Sequence, residues 1–577
     1  MSDAPLLVFG PRSLTYDFGP SHPLTPRRFG PGIDLLRTIG ADPELWIAPE
    51  PATVDELLLC HSPRYLAIVR RFSEPDGDPW ADAEAGIGAG DDPPFLGMHD
   101  AAASVAGGSL RAIEAILRGD TEHAFHTGGG LHHAMPARAS GFCIYNDPAI
   151  AIARARQAGK RVLYVDLDVH HGDGVEAIHA ADPGVLTLSF HESGRYLFPG
   201  TGSVAEVGAG EAAGSIVNVP MEPGTGETAW LAAVSTIVPE LAASFAPDII
   251  VSQHGCDTHA WDPLAHLLVT TTAMGAAARL VDTLAHRWSG GRWLATGGGG
   301  YGVYRVVPRA WAHVWLASAH REVPDRLPGE WREKWAAESA RYGDPTLPET
   351  FDDEPNAGLP PTETQAAAED RSRQTAEVAR RLAVPRLVRE AVDRGWWSPL
   401  GGFAGSAEPT DVSSSTDGGA APTILDRTDR ATLDRLEFAP RLVAGLDPGA
   451  VRAILDPRRL DLTVAIAGAL VVGLVASAGS SQDGDGGRSL LAVGVSPAWR
   501  RQGLATELLA RHVGAFDSAT AWTATITAAE RDPVEPLDRA VRATIARRLL
   551  EQSGFDVQSA GGEIGRADHA ALEATRR

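Results

Sequence analysis

The stretch Val162–Gly174, VLYVDLDVHHGDG, decides the fold class. It opens as an unbroken apolar, β-branched and aromatic run, the pattern of a strand buried on both faces in a parallel sheet. It then closes in polar groups: Asp166, Asp168, His170, His171 and Asp173. Period-two spacing predicts Asp166, Asp168 and His170 on one face of the strand. Carboxylates that close to an apolar run repel each other and are costly to bury unpaired, and a cation resolves the cost.

Further runs of the same kind lie on either side: EHAFH (Glu122–His126), VLTLSF (Val185–Phe190), DIIVSQHG (Asp248–Gly255) and RWLATGGGG (Arg292–Gly300). Alanine-rich helical segments such as DAAASVAGGSLRAIEAILRG and AWLAAVSTIVPELAASF separate them. Apolar strands alternating with helices predict an α/β fold, a parallel sheet with helices on both faces. Ligands bind such sheets beyond the carboxyl ends of the strands. Each run ends in polar residues: His132 and His133 after TGGGL, Ser189 and His191, Asp257, and Tyr301 after a glycine run. Asp168, His170 and Asp257 form a candidate zinc set with an open position, as catalytic zinc requires; iron(II) suits the same ligands. His132 and His133 supply proton transfer near neutral pH, with Asp166 and Asp173 as partners for their other ring nitrogens. Tyr301 is placed to donate a hydrogen bond to a developing oxyanion. Together these parts point to metal-assisted amide hydrolysis.

Composition fits that reading. The 577 residues carry a net charge of −23, which argues against a nucleic-acid partner. The cysteines are Cys60, Cys143 and Cys256, too few for a disulfide framework, so a cytoplasmic location is expected. No apolar stretch reaches spanning length, so no membrane association is expected; TVAIAGALVVGLVAS (Thr463–Ser477) reads as two strands. Residues 1–335 form the first domain in this reading. Residues 336–425 form a helical extension, interrupted at Pro385, and a flexible linker; residues 426–577 form a smaller α+β domain.

The segments HTGGGLHHAMPARASGFCIYND, LYVDLDVHHGDGVEAI, LFPGTG, HGCDTHAWDPLAHL and TGGGGY resemble the zinc-dependent histone deacetylase family, in order over residues 5–325. GMHDAA and DPLAHL are similar to its acetoin-utilisation branch. The resemblance implies an arginase/deacetylase-like fold with Asp168, His170 and Asp257 on zinc. It implies His133 as general base and acid, His132 as its electrostatic neighbour, Asp166 and Asp173 as their partners, and Tyr301 polarising the carbonyl. Gly141, Phe142 and Phe198 would line an acyl-lysine channel, Asp91 would hold the substrate backbone at the rim, and Arg28 would stand near an internal exit channel. An inner potassium ion would use Asp166, Asp168, His170, Ser189 and Phe190. Leu264 is an apolar, lysine-type choice where a polyamine enzyme would place an acidic residue. The implied substrate is an acetylated protein, an acyl-CoA synthetase being one candidate, with acetylpolyamines as the alternative.

In RSLLAVGVSPAWRRQGLATELLARHVGAF, Arg500, Gly503 and Ala505 match the R-x-x-G-x-A signature of GNAT acetyltransferases. That resemblance implies a GNAT-like domain holding acetyl-CoA near Val495, Arg500, Arg501, Gln502, Gly503, Leu504, Ala505 and Thr506, at a helix start suited to pyrophosphate. Leu550 stands where many of those proteins carry a tyrosine that protonates the leaving thiolate. An acetyl-CoA sensor that regulates the hydrolase is the alternative for this domain.

Overall fold

The computed structural model describes residues 4–74, 82–88, 90–208, 210–344, 346–360 and 362–393, and beyond them 423–425, 437–438, 461–467, 470–479, 488–495, 504–516, 522–527, 550, 556–559 and 571–576. The chain divides into two compact units, Met1–Ala383 and Val384–Arg577.

The first unit is built on β1 (Leu6–Val8), β2 (Trp46–Ile47), β3 (His123–His126), β4 (Val162–Asp166), β5 (Val185–Glu192), β6 (Ile216–Met221), β7 (Ile249–Gln253) and β8 (Trp293–Thr296). They form one sheet in the order β2-β1-β3-β8-β7-β4-β5-β6. Every pairing is parallel. The helices Met98–Arg118 and Asp147–Gln157 pack together over the middle strands, and Glu227–Phe245, Thr271–Ser289 and Val307–Ser318 cover the same strands from the other face. Val162, Leu163 and Val165 of β4 are fully buried between these layers. Each such side chain contributes about 1.5–3 kcal/mol through burial.

The helix Glu227–Phe245 is long and apolar enough to cross a membrane by length and composition. Its Trp230, Val234, Val238 and Leu241 are fully buried, so here it is a core helix.

The first unit reaches further along the chain than the expected 335. The proline-rich segment after the helix Gly329–Arg341 docks on it through Phe351, which is fully buried. Asp353 accepts hydrogen bonds from Arg309, Thr271 and His259 at 2.6 to 2.9 Å. Its carboxyl is held well below the ordinary range: burial opposes ionisation, and His259 and Arg309 outweigh it. Acidic, proline-rich composition suggested an extension, but one buried ion pair fixes the segment. The helix Glu363–Asp393 also runs through Pro385 rather than breaking there; an interior proline removes one backbone bond and can leave the rest of the helix in place.

In the second unit β9 (Thr423–Leu425), β10 (Glu437–Phe438), β11 (Asp461–Ala467), β12 (Leu470–Gly479), β13 (Arg488–Val495), β14 (Trp522–Thr527), β15 (Asp556–Ser559) and β16 (Ala571–Arg576) form a sheet in the order β15-β16-β14-β13-β12-β11-β9, with β10 beside β12. TVAIAGALVVGLVAS is indeed two antiparallel strands, β11 and β12. β13 and β14 pair in parallel, and the helix Leu504–Gly514 connects them. That helix buries Leu508, Leu509 and Val513 against the sheet, and its His512 bridges Thr463 and Ser477 at 2.9 and 2.7 Å. Leu550 is buried, Ala505 and Thr506 are half-buried, and Arg500, Arg501, Gln502 and Gly503 lie outside the described residues.

Candidate active site

β3, β4, β7 and β8 end side by side, and their loops converge. β4 stops at Asp166, so Asp168 and His170 sit on the loop beyond it rather than on one strand face. This separates their roles. The Asp166 carboxylate accepts from Tyr164 Oη at 2.7 Å and meets His132 Nδ1 at 2.7 Å. Asp168 turns to the metal-capable cluster: its Oδ1 is 3.1 Å from His170 Nδ1, and Asp257 Oδ2 is 3.2 Å from the same nitrogen.

The rest of the cluster is tied down. Asp168 Oδ2 accepts from Gln253 Nε2 at 2.7 Å and from the Gly299 amide at 2.8 Å. Asp257 Oδ1 accepts from the Val169 amide at 2.9 Å, while Asp257 Oδ2 is buried and accepts no hydrogen bond. Position 299 must be glycine, because a Cβ there would lie 1.9 Å from Asp257 Oδ2. Two fully buried carboxylates with one orphaned oxygen, beside an imidazole at ligand spacing, fit a divalent cation. Without one, burial and Asp168 push the Asp257 carboxyl up, and Asp168 is held down: burial opposes its charge but His132 and His170 outweigh it. His170 is lifted to about 10, since its two carboxylate neighbours outweigh burial.

The adjacent histidines diverge. Burial disfavours a charged His132, but Asp166 and Asp168 outweigh it and raise it to about 9. Burial and the His132 charge drive His133 down to about 4, despite its 2.7 Å contact with Asp173 Oδ1. His133 is therefore a neutral imidazole near pH 7 with Nδ1–H bound to Asp173, leaving Nε2 as a base. Tyr301 is pushed well above the ordinary phenol range by burial and by Asp257, Asp168 and Asp262, so it keeps its proton.

One pocket is lined by His132, His133, Gly141, Phe142, Asp168, His170, Gly299 and Tyr301. Phe142 stacks edge-on against Tyr301, and Phe198 edge-on against His133 at 5.0 Å between ring centres. Gly141 and Phe142 both take positive φ, 53° and 68°. A Cβ on Gly141 would sit 2.5 Å from His133, so the glycine admits the channel wall next to the base. Arg28 is buried, donates to the Gly298 carbonyl at 2.7 Å, and lines a neighbouring cavity with Arg12, Tyr16 and Leu24. Ser189 pairs in register with Asp166 and bonds His191 at 2.8 Å; Phe190 is buried.

Residues 22–318 match the family model described as "Histone deacetylase domain". The chain is similar to the acetoin utilization protein AcuC of Bacillus subtilis, 43% identical over 337 residues, 57% of this chain and 86% of that one. The chain belongs to the histone deacetylase family. AcuC of Staphylococcus xylosus is 38% identical over 350 residues, 60% of this chain and 90% of that one. The crystal structure of an HDAC homolog from Aquifex aeolicus matches with a TM-score of 0.56 at 28% identity, covering 64% of this chain and 100% of that one. The first unit is thus a hydrolase of the deacetylase class on the arginase/deacetylase-like fold.

Asp91 and Leu264 lie outside the pocket lining of this deacetylase. Asp91 is exposed, whereas its neighbour Asp92 is buried, with Oδ1 unbonded and its carboxyl pushed up to about 8 by burial and by Asp91. The inward aspartate of the rim loop is Asp92. Leu264 is half-buried and tied through its amide to Asp262 at 3.0 Å, but it is not among the residues lining the pocket.

Sequence reasoning also missed the deacetylase's supports. Asp262 accepts from the Tyr301 amide at 2.7 Å and so anchors the tyrosine loop. Asn146 Nδ2 donates to the His132 and Ala134 carbonyls, both at 3.0 Å, and Asp147 accepts from the Gly130 and Leu131 amides. The N D pair in IYND was visible, but its bonds to a loop twelve residues and more upstream were not.

Proposed function

We propose that the first unit removes acetyl groups from lysine side chains of proteins, with zinc held by Asp168, His170 and Asp257. The observation that carries this reading is one pocket that gathers Asp168, His170, a neutral His133 and a protonated Tyr301, with Asp257 beside His170 and with Phe142 and Phe198 edge-on to Tyr301 and His133. Zinc, when bound, supplies Lewis acidity toward the amide carbonyl and an acidified water. His133 Nε2 takes the water proton and returns it to the leaving amine, while Asp173 holds the ring by Nδ1. His132, kept charged between Asp166 and Asp168, supports negative charge as it develops. Tyr301 donates a hydrogen bond to the oxyanion. Phe142 and Phe198 suit an alkyl chain such as the lysine methylenes, and at position 264, where a polyamine enzyme would place an acidic residue, this chain has an apolar leucine. A potassium ion near Asp166, Asp168, His170, Ser189 and Phe190 belongs to the same reading.

The relatives' part in acetoin utilization makes an acyl-CoA synthetase the proposed protein target, in the cytoplasm. For the second unit we propose a GNAT-like acetyl-CoA-binding role. The helix that opens at Leu504–Ala505–Thr506 follows the R-x-x-G-x-A segment and joins the parallel pair β13–β14, of which Val495 is the last residue of β13. Leu550 favours a sensor over a transferase.

The deciding assay compares acetyl-lysine peptides with acetylated putrescine and spermidine. Faster hydrolysis of the peptides, abolished by a chelator and restored by zinc, is expected. Preference for the polyamines overturns the protein-substrate reading, and full activity after complete metal removal overturns the chemistry. Calorimetry with acetyl-CoA tests the second unit, and absence of binding removes its proposed role.

A further inference from the structure

A second cluster of metal-capable side chains lies at the opposite end of the same sheet. His123 is the first residue of β3, at the amino end of the strand whose carboxyl end feeds the His132–His133 loop. The helix Thr271–Ser289 brings Asp282 and His286, one turn apart, against it. His320 follows the helix Val307–Ser318 and takes φ 51°, the left-handed conformation more usual for glycine just past a helix end. The three imidazole rings meet around one point, with centres 4.9 to 5.1 Å apart.

The donor atoms match a metal shell. Nε2 of His123, His286 and His320 lie 3.4, 3.4 and 3.2 Å from Asp282 Oδ1. His286 Nε2 is 3.0 Å from His320 Nε2, and all four residues offer ligand atoms within 4.8 Å of one another. A tetrahedral zinc with bonds of about 2.0–2.1 Å spaces its ligand atoms roughly 3.3 Å apart.

A second observation is independent of this spacing. His123 is 4% exposed, and its Nδ1 lies 2.8 Å from the Ser318 carbonyl oxygen, which can only accept. Nδ1 therefore carries a proton, and Nε2 presents its lone pair to the cluster. That Nε2 makes no hydrogen bond and faces a carboxylate oxygen, which cannot donate one. Fixing one ring nitrogen on a backbone carbonyl so that the other points at an ion is how metal-ligating histidines are oriented. The third metal-capable group, His171, Glu176 and Glu206, differs: both ring nitrogens of its one histidine are bonded, to Thr201 and Glu176 at 2.9 Å each, whereas His123 keeps an unbonded Nε2.

We infer that His123, Asp282, His286 and His320 form a second, structural metal site for a divalent ion of the zinc type. Three imidazoles and one carboxylate suit zinc over the harder cations. Four protein ligands leave no open position, so the ion would hold the start of β3, the helix Thr271–Ser289 and the segment after Val307–Ser318 together instead of performing chemistry. Half-exposed His286 and His320 give it a way in from solvent. The inference does not depend on the reading of the active site.

The test uses the untagged full chain, stripped with a chelator and reloaded with Zn2+ alone. Metal per chain is measured after gel filtration. Two equivalents are expected in the wild type. The double variant His286→Ala, His320→Ala should lose one equivalent, keep its deacetylase rate and melt at a lower temperature than the zinc-loaded wild type. Asp257→Ala should lose the other equivalent and keep the melting shift on zinc addition. A double variant that binds as many zinc equivalents as the wild type overturns the inference. If the double variant does not fold, His320→Asn alone, at a half-exposed position, must weaken one of the two zinc equivalents; unchanged binding overturns the inference equally.

Discussion

The two ends of the parallel sheet carry similar donors in different company. At the carboxyl end, Asp168 and His170 face a pocket with His133 and Tyr301 alongside, and Asp257 stands behind His170 with its Oδ2 unbonded. At the amino end, His123, Asp282, His286 and His320 close on one another. Imidazole and carboxylate are present at both. Chemistry belongs to the end where the ligand set is incomplete and proton-transfer groups converge on the gap. The amino end has the ligands without the base, the phenol or the channel.

The contrast can be broken most sharply at the carboxyl end. Asp257→Ala should leave no measurable hydrolysis of an acetyl-lysine peptide while the fold stays intact by circular dichroism; residual activity would mean the donor set is misassigned. His133→Ala, with metal content unchanged, should lower kcat by about 10²–10⁴-fold. Tyr301→Phe should cost about 10²–10³-fold in kcat with little change in KM. An equal loss in a variant of the amino-end cluster would erase the distinction between the ends. A graded effect comes from histidines buried as neutral rings. Burial lowers His126 and His254 to about 3 and His61 to about 4. Their folded values lie below the unfolded value, so their contribution is complete above about pH 6.5 and is lost as pH falls toward the folded values. The unfolding free energy of the first unit, measured by urea titration, should therefore fall as pH drops from about 7 to about 5, by about 1.4 kcal/mol per pH unit for each group below pH 6.5. A flat profile would show that these rings are protonated in the native state.

Most of the carboxyl end was legible because its residues cluster in short motifs after apolar runs. DLDVHH, GCDTH and GLHH each announce polar groups at a strand end, and a parallel sheet must bring such ends together. Several features were not legible. β6 was missed because VNVP mixes polar residues and proline into a strand that only its pairing with β5 defines. Which of the adjacent aspartates Asp91 and Asp92 turns inward was not legible, since only the loop's fold buries Asp92 and exposes Asp91. Asp262 carried no role in the sequence reading, yet its bond to the Tyr301 amide makes it an anchor. Residues 336–425 read as an extension and linker because exposure of acidic and proline-rich chain is the usual outcome, but buried Phe351 and the bonds of Asp353 to Arg309, Thr271 and His259 dock the part around residues 351–353.

By itself the sequence determined the parallel α/β plan and the histone deacetylase kinship of the first unit, and it named candidate donor and base residues, because periodicity and motif spacing act over a few residues. Only the tertiary structure decided which carboxylate serves which partner. It assigned Asp166 to His132 and left Asp257 with a free oxygen. It also gathered His123, Asp282, His286 and His320 from three separate elements. Such pairings depend on distances between segments far apart in the chain, which the folded packing alone fixes.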